Sequence, residues 1–300
     1  MHGLLGLEAC TPGATHEFRG ICCAGGPDRA YGGHIIAQAL LVAHGTVEPT
    51  RHVSSLHACF LAMGRPDAEV RYRVRPLRDG GTYALREITA IQGDKELLAL
   101  TASFKRAECG PDRHITMPCA PAPETLPAHG ESVDRFWSRI TPSSEIRRVV
   151  QVRPVIGDAV YDTVDSPGGR HRRMWVRFSG ALSDDPVMHS VALSFCSDLT
   201  VARTAALGHL DADGGGTPAQ WLFLASIDHA MWFHRPCRVD DWLLFVHHSP
   251  TSGDGRGLTS GEFWTREGTL VATVTQEVLL RKRRTAAAAN RPALADVTIG

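Results

Sequence analysis

Three polar side chains interrupt apolar patterns in the C-terminal half of the sequence, and their types suit the activation of a water molecule. In LVATVTQEVLL (270–280), strand alternation puts Leu270, Ala272, Val274, Gln276, Val278 and Leu280 on one face, with an amide in the middle of an apolar row. A buried amide without partners costs roughly 1–3 kcal/mol, so Gln276 either turns to solvent, bonds nearby backbone, or serves a site. In LFLASIDHAMWF (222–233), alternation places Leu224, Ser226, Asp228, Ala230 and Trp232 together, and two small polar groups break that face. A serine in a strand commonly satisfies a local backbone bond. Asp198, in SFCSDLT, closes an apolar helical run and reads locally as a helix-end carboxylate.

Other chemistries find less support. No GxSxG elbow surrounds Ser226 and no histidine is evidently held against it, which disfavours a serine nucleophile. His229 and His234 find no third ligand at metal spacing and are expected to be packed or hydrogen-bonded at the edge of the core. Glu262 reads as a cross-strand charge partner, and Arg281–Arg284 as a solvated strand end. Neither a phosphate loop nor zinc spacing appears, so neither cofactor nor metal is expected. The eight cysteines (Cys10, Cys22, Cys23, Cys59, Cys109, Cys119, Cys196, Cys237) show no CxxC pairing and are expected as reduced thiols, with Cys22-Cys23 in loop or core.

The elements that must position these residues form a repeated plan. A helix-like stretch, YGGHIIAQALLVAHG (31–45), precedes strand-like segments at 53–64, 68–81, 82–93 and 95–106. A second helix-like run at 187–207 precedes strand-like segments at 221–236, 240–252, 257–268 and 269–283. Asp79-Gly80-Gly81 and Asp254-Gly255 are expected to supply positive-φ corners, and Gln92-Gly93-Asp94 and Arg266-Glu267-Gly268 to be hairpin tips. LHACF echoes DHAMWF, aligning Ser54 with Ser226, so each half reads as one helix and an antiparallel meander from an internal duplication. A Pro-rich polar linker separates the halves, and 285–300 has no periodic apolar face.

At 300 residues, with 43% apolar and 21% charged side chains, the chain is globular in composition and large enough for a substantial core. Its 32 basic residues balance its 32 acidic ones, which gives no reason to expect nucleic acid or an anionic membrane as partner. The N-terminus has no basic flank ahead of an apolar run, and no stretch approaches the ~18 apolar residues of a membrane span. A cytoplasmic location is the expectation.

Longer blocks carry a resemblance. FRG (18–20), YGGHIIAQAL (31–40), LHACFL (56–61), LRDGGTYALREITAIQG (77–93) and LTASF (100–104) in the first half are similar to motifs of the type II acyl-CoA thioesterases. So are SDLT (197–200), ASIDHAMWFHRP (225–236), DWLL (241–244), the RG…GE…WT run (256–265) and TQE (275–277) in the second. The resemblance implies an α+β double hotdog: an N-terminal hotdog over 1–107, a linker over 108–148, a C-terminal hotdog over 149–284 that carries catalysis, and a flexible tail over 285–300. It further implies hydrolysis of an acyl-CoA or acyl-carrier thioester by a water held by Asp198, Ser226 and Gln276. An acyl tunnel beside a helix, lined by Met231, Trp232 and Phe233, and an oxyanion donor at a hotdog helix N-terminus are also implied. Gly32-Gly33 is expected to allow close helix–sheet approach. Open sheet edges make a homo-oligomer, dimer or tetramer, a further expectation. The polar segment 201–220 departs from the family pattern and leaves room for a specialised substrate. The competing readings are a hydratase or dehydratase, which wants an Asp-and-His pair, and a non-catalytic acyl-thioester binder.

Overall fold

In the computed structural model, residues 5–10, 16–26, 28–130, 133–134, 137, 143–155, 164–166, 169–209 and 222–282 are described. The expected tail over 285–300 and most of the Gly-rich stretch after Thr204 fall outside them.

Two helices make the centre. Helix α1 (Gly32–His44) and helix α2 (Pro186–Ser197) are apolar on nearly every side, because each is enclosed by sheet and by the other helix. They run antiparallel: the start of α1 meets the end of α2 through Gly33 and Asp198, and Leu40 and His44 near the end of α1 border the same cavity as Val187, Ser190 and Val191 near the start of α2. Asp185 caps α2, accepting from the Val187 N–H, and Pro186 occupies the first turn.

Around the helices the principal strands are β1 (Glu17–Ile21), β2 (Arg51–Phe60), β3 (Glu69–Asp79), β4 (Tyr83–Gln92), β5 (Lys95–Arg106), β6 (Gly169–Phe178), β7 (Leu222–Ser226), β8 (Asp228–Phe233), β9 (Leu243–Gly253), β10 (Arg256–Trp264) and β11 (Leu270–Lys282). They form one antiparallel sheet in the order β1-β3-β4-β5-β2-β8-β11-β10-β9-β6, with β7 also on β11. The seam between the halves is the β2–β8 pair, where Leu56 lies opposite Met231 and Ala58 opposite His229. Each half curls around its helix and the curls join edge to edge, which is the double hotdog. Among the described residues, no helix is long and apolar enough to cross a membrane.

Among the strands that escaped the sequence pattern are β1, Val150–Val155 and β6. In GRHRRMWVRF, Met174, Val176 and Phe178 face the core. The intervening Arg and His residues and the outward Trp175 obscure that alternation. Trp175 is nonetheless buried, because the segment before Leu126 lies over it: its indole N–H donates to the Pro121 carbonyl, and Met117, Ala120 and Leu126 pack with Trp175, Trp242 and Trp264. The polar, Pro-rich stretch therefore covers the outer face of the C-terminal sheet.

The turns divide. Asp254, Gly255, Gly93 and Gly268 adopt positive φ at hairpin tips, whereas Gly80 and Gly81 do not, so the corner after β3 needs no left-handed residue.

A Cβ on Gly33 would lie 2.5 Å from the Phe195 carbonyl oxygen and 2.8 Å from the Tyr31 ring. At Gly33 the close approach is therefore helix to helix, while at Gly32 the expected helix-to-sheet approach is present, since a Cβ there would lie 3.0 Å from the Phe60 ring at the end of β2. Gly33→Ala is expected to lower stability by roughly 1–3 kcal/mol in chemical denaturation. The control Gly81→Ala, whose Cβ would meet nothing within 4 Å, is expected to stay within about 0.5 kcal/mol.

Candidate active site

The site forms where α2 ends against the start of α1. Asp198 follows the last turn of α2, where the partial negative charge of its own helix disfavours a carboxylate. Its side chain instead reaches the neighbouring helix, and Oδ2 accepts the Gly33 N–H at 3.0 Å, one of the amides that a helix start leaves without an intrahelical partner. Tyr31 returns the favour: its buried hydroxyl donates to the Phe195 carbonyl at 2.8 Å, near the end of α2. Glycine at 32 permits the contact, because a Cβ there would stand 2.9 Å from Asp198 Oδ2.

Gln276 arrives from β11. It is 0% exposed, and its amide is partnered at both ends. Nε2 donates to Ser226 Oγ at 2.8 Å, and the same side chain favours the ionised form of the Asp198 carboxyl. Oε1 accepts from His229 Nδ1 at 2.6 Å. The structure thus brings Asp198, Ser226 and Gln276 together, from three segments far apart in the chain.

Ser226 and His229 both reach Gln276 because the strand that carries them breaks between them. β7 ends at Ser226, opposite Val278, and β8 resumes one residue out of step, with Ala230 opposite Thr275. The extra residue is Ile227, whose N–H donates to the Glu277 carbonyl. The break leaves the Glu277 N–H without a strand partner, and Asp228 Oδ1 accepts it at 2.7 Å. Asp228 therefore repairs the ladder and is not part of the polar cluster. Beyond the break the inward face has switched: His229 and Met231 are fully buried, and Trp232 points outward, 38% exposed. Of the expected common face, Asp228, Ala230 and Trp232 still lie together on β8, but Ser226, across the break, is not on it. Trp232 does not line an internal tunnel; its ring makes an edge contact with His57 on the outer surface. Met231 belongs to the core, and Phe233 is partly buried against it.

His229 is the site-forming residue that alternation missed, since an unbroken strand sends it away from Ser226. Its Nε2 meets Ser197 Oγ at 2.8 Å, and that hydroxyl lies 2.8 Å from the Ser194 carbonyl. A second buried histidine, His247, supports the turn after Asp198. Thr200 sits at φ +64, a costly conformation for a β-branched residue, and its hydroxyl pairs with His247 Nε2 at 3.0 Å while Thr204 Oγ1 holds Nδ1 at 2.8 Å. His234, by contrast, stays near the surface against Thr273.

Burial sets the electrostatics. Removal from water pushes the Asp198 carboxyl from 3.8 up to about 7, against the hydrogen bonds from Gly33 and Gln276, which favour the ion. Burial pushes His229 down to about 4, partly offset by its bond to Gln276, so the imidazole is neutral near pH 7. A neutral carboxyl and its anion are therefore both accessible around neutrality, on a side chain that keeps some exposure.

Elsewhere, Cys22 packs against Gln38 and Tyr72, and burial raises its thiol to about 12, which makes it inert at neutral pH. Among the described residues no group of three or more His, Cys, Asp or Glu side chains is arranged to hold a metal.

Comparison with known proteins agrees with this architecture. Residues 148–279 match the family model described as acyl-CoA thioesterase, and residues 22–105 match the acyl-CoA thioesterase N-terminal domain. Human acyl-coenzyme A thioesterase 8 is 33% identical over 84% of this chain and 81% of its own length. Acyl-CoA thioesterase 2 of Haemophilus influenzae is 30% identical over 88% and 92%. The crystal structure of an acyl-CoA thioesterase II from Mycobacterium marinum superposes with a TM-score of 0.77 at 35% identity, covering 94% of this chain and 98% of that one. A hotdog-fold protein from Alicyclobacillus acidocaldarius, at 20% identity and a TM-score of 0.71, shares the fold. Two fused hotdogs, matched in both halves and along most of the length of these relatives, establish that the chain belongs to the acyl-CoA thioesterase family.

Proposed function

We propose that the protein hydrolyses acyl-CoA thioesters to the free acid and coenzyme A, with Asp198 as general base toward a water that Ser226 and Gln276 orient. The observation that carries this reading is the junction of a carboxylate, an amide and a hydroxyl at one helix start, with the carboxyl raised to about 7 by burial. At an ordinary carboxylate pKa, Asp198 is a weak base; near 7 it is matched to proton transfer at neutral pH, worth ~10²–10⁴-fold.

Water attacks the thioester carbonyl as Asp198 takes its proton. Charge then develops on the carbonyl oxygen near the α1 N-terminus, where the helix dipole favours it. Collapse of the tetrahedral intermediate breaks the C–S bond. The leaving thiol has a pKa near ~8.5, so it departs as thiolate with modest help, and the proton held by Asp198 is available to it.

Two features weigh against other reactions on this scaffold. Ser226 Oγ accepts from the Gln276 amide, and among the described residues no side-chain base accepts its hydroxyl hydrogen, which does not suit a serine nucleophile. The histidine of the cluster, His229, is fully buried with both nitrogens engaged by Ser197 and Gln276, which does not suit an acid–base pair for hydration or dehydration.

Asp198→Asn and Gln276→Ala are each expected to cut thiol release from acyl-CoA substrates by ~10²-fold or more while the proteins remain folded. Parent-like turnover in Asp198→Asn removes the base from the account. For the parent, kcat/KM is expected to fall on the acid side with a midpoint near pH 7, where Asp198 becomes protonated.

Stability should carry the opposite sign. Because the folded-state pKa lies above the unfolded one, ionising Asp198 favours unfolding. The penalty begins above pH ~4 and is complete above pH 7, with an upper bound of ~4 kcal/mol for the rise from 3.8 to about 7. Asp198→Asn should therefore match the parent in thermal unfolding near pH 4 and exceed it at pH 8; a loss of stability at pH 8 contradicts this.

A further inference from the structure

We infer that His229 is a positioning residue: its Nδ1–H fixes the Gln276 amide so that the NH2 group, and not the carbonyl, faces Asp198 and Ser226.

An amide is nearly symmetric in shape, so packing alone sets its direction weakly; its hydrogen-bond partners set it strongly. An ionised Asp198 can only accept, and therefore demands the NH2 end of Gln276. The opposite end, Oε1, then needs a donor in a place that water does not reach, and His229 Nδ1 stands 2.6 Å from it. Leaving that oxygen unmet is costly. The ring itself is fully buried and braced from behind, since Nε2 abuts the Ser197 hydroxyl in the last turn of α2. One imidazole thus ties β8, β11 and the helix that delivers Asp198 into one arrangement, with no atom presented to substrate. The tautomer with hydrogen on Nδ1 meets the demand of Oε1; its bare Nε2 then accepts the Ser197 hydroxyl hydrogen, which is shared with the Ser194 carbonyl 2.8 Å away. The Ile227 insertion is what turns His229 inward, next to Ser226 rather than opposite it.

The first half of the molecule supplies an internal contrast. β2 and β5 carry a register shift between Val53 and Ser55, matching the break at Ile227. Aligned on these breaks, Val53, Leu56 and Ala102 occupy the places of Ser226, His229 and Gln276, and all three are buried apolar residues. The histidine and the amide occur together or not at all.

The inference rests on the proposed thioesterase reading, and the test separates the two. His229→Asn keeps a nitrogen donor at the Nδ1 position; His229→Gln places its donor at the Nε2 position, toward Ser197. His229→Asn is expected to stay within about threefold of the parent kcat, and His229→Gln and His229→Ala to lose about thirtyfold or more with KM changed less than about threefold. In the two impaired variants the acid limb of kcat/KM should move to higher pH, because Asp198 loses the donor that favours its anion. Parent-like kcat and pH profile in folded His229→Gln, or collapse of His229→Asn to the level of His229→Ala, overturns the inference. Unimpaired Asp198→Asn in the same series overturns the thioesterase mechanism instead. Independently of turnover, nitrogen NMR of the imidazole should show Nδ1 protonated and Nε2 bare between pH 6 and 8, and the reverse tautomer overturns the inference.

Discussion

A side-chain amide without water in its surroundings must find partners for both its ends, and the structure around Gln276 is organised by that demand. The two ends ask for opposite things: Nε2 needs acceptors and Oε1 needs a donor. Asp198 and Ser226 meet the first requirement, and His229 the second. Each partner comes from a different segment, so satisfying one amide draws the end of α2, the break before β8 and the middle of β11 to one point. The same burial that makes the amide demanding raises the carboxyl of Asp198 toward neutrality. Protection from water is therefore the common cause of the geometry and of the raised carboxyl pKa.

The duplicated fold helps explain why this happens once. Two similar curls place two helices side by side in opposite directions, so each helix start faces the other helix's end. At one junction Asp198 meets the Gly33 amide, and the α1 start accepts a carboxylate that its own helix end disfavours. At the other, Leu40, His44, His52, Val53, Val187, Ser190 and Val191 line a small cavity. The strand positions that carry Ser226, His229 and Gln276 in one half hold Val53, Leu56 and Ala102 in the other, and those residues contribute to packing. One half has become core and support, and the other holds the polar cluster.

Much of this was legible in the sequence, because the pattern of apolar residues is periodic. Alternation in 270–280 singled out Gln276, and helical and strand periods located both helices and most of the sheet. What escaped was set by contacts between segments. The echo of LHACF and DHAMWF aligns His57 with His229, yet the two side chains point to opposite faces of the sheet. The breaks that decide those faces arise from cross-strand hydrogen bonds, and an alternation count cannot register them. The strand at 169–178 was hidden because Arg and His residues mask the apolar rhythm. Asp198 looked like a helix-end carboxylate, which it is; its partner Gly33 lies 165 residues away.

The whole site depends on the state of one carboxyl group. Carbon NMR of selectively labelled aspartate, titrated from pH 4 to 9 with Asp198→Asn used for assignment, reads that group without reference to turnover. A midpoint near 7 for Asp198 is predicted. A midpoint near the ordinary 3.8 would mean that the group is solvated and unperturbed, and would contradict the buried junction on which the site depends.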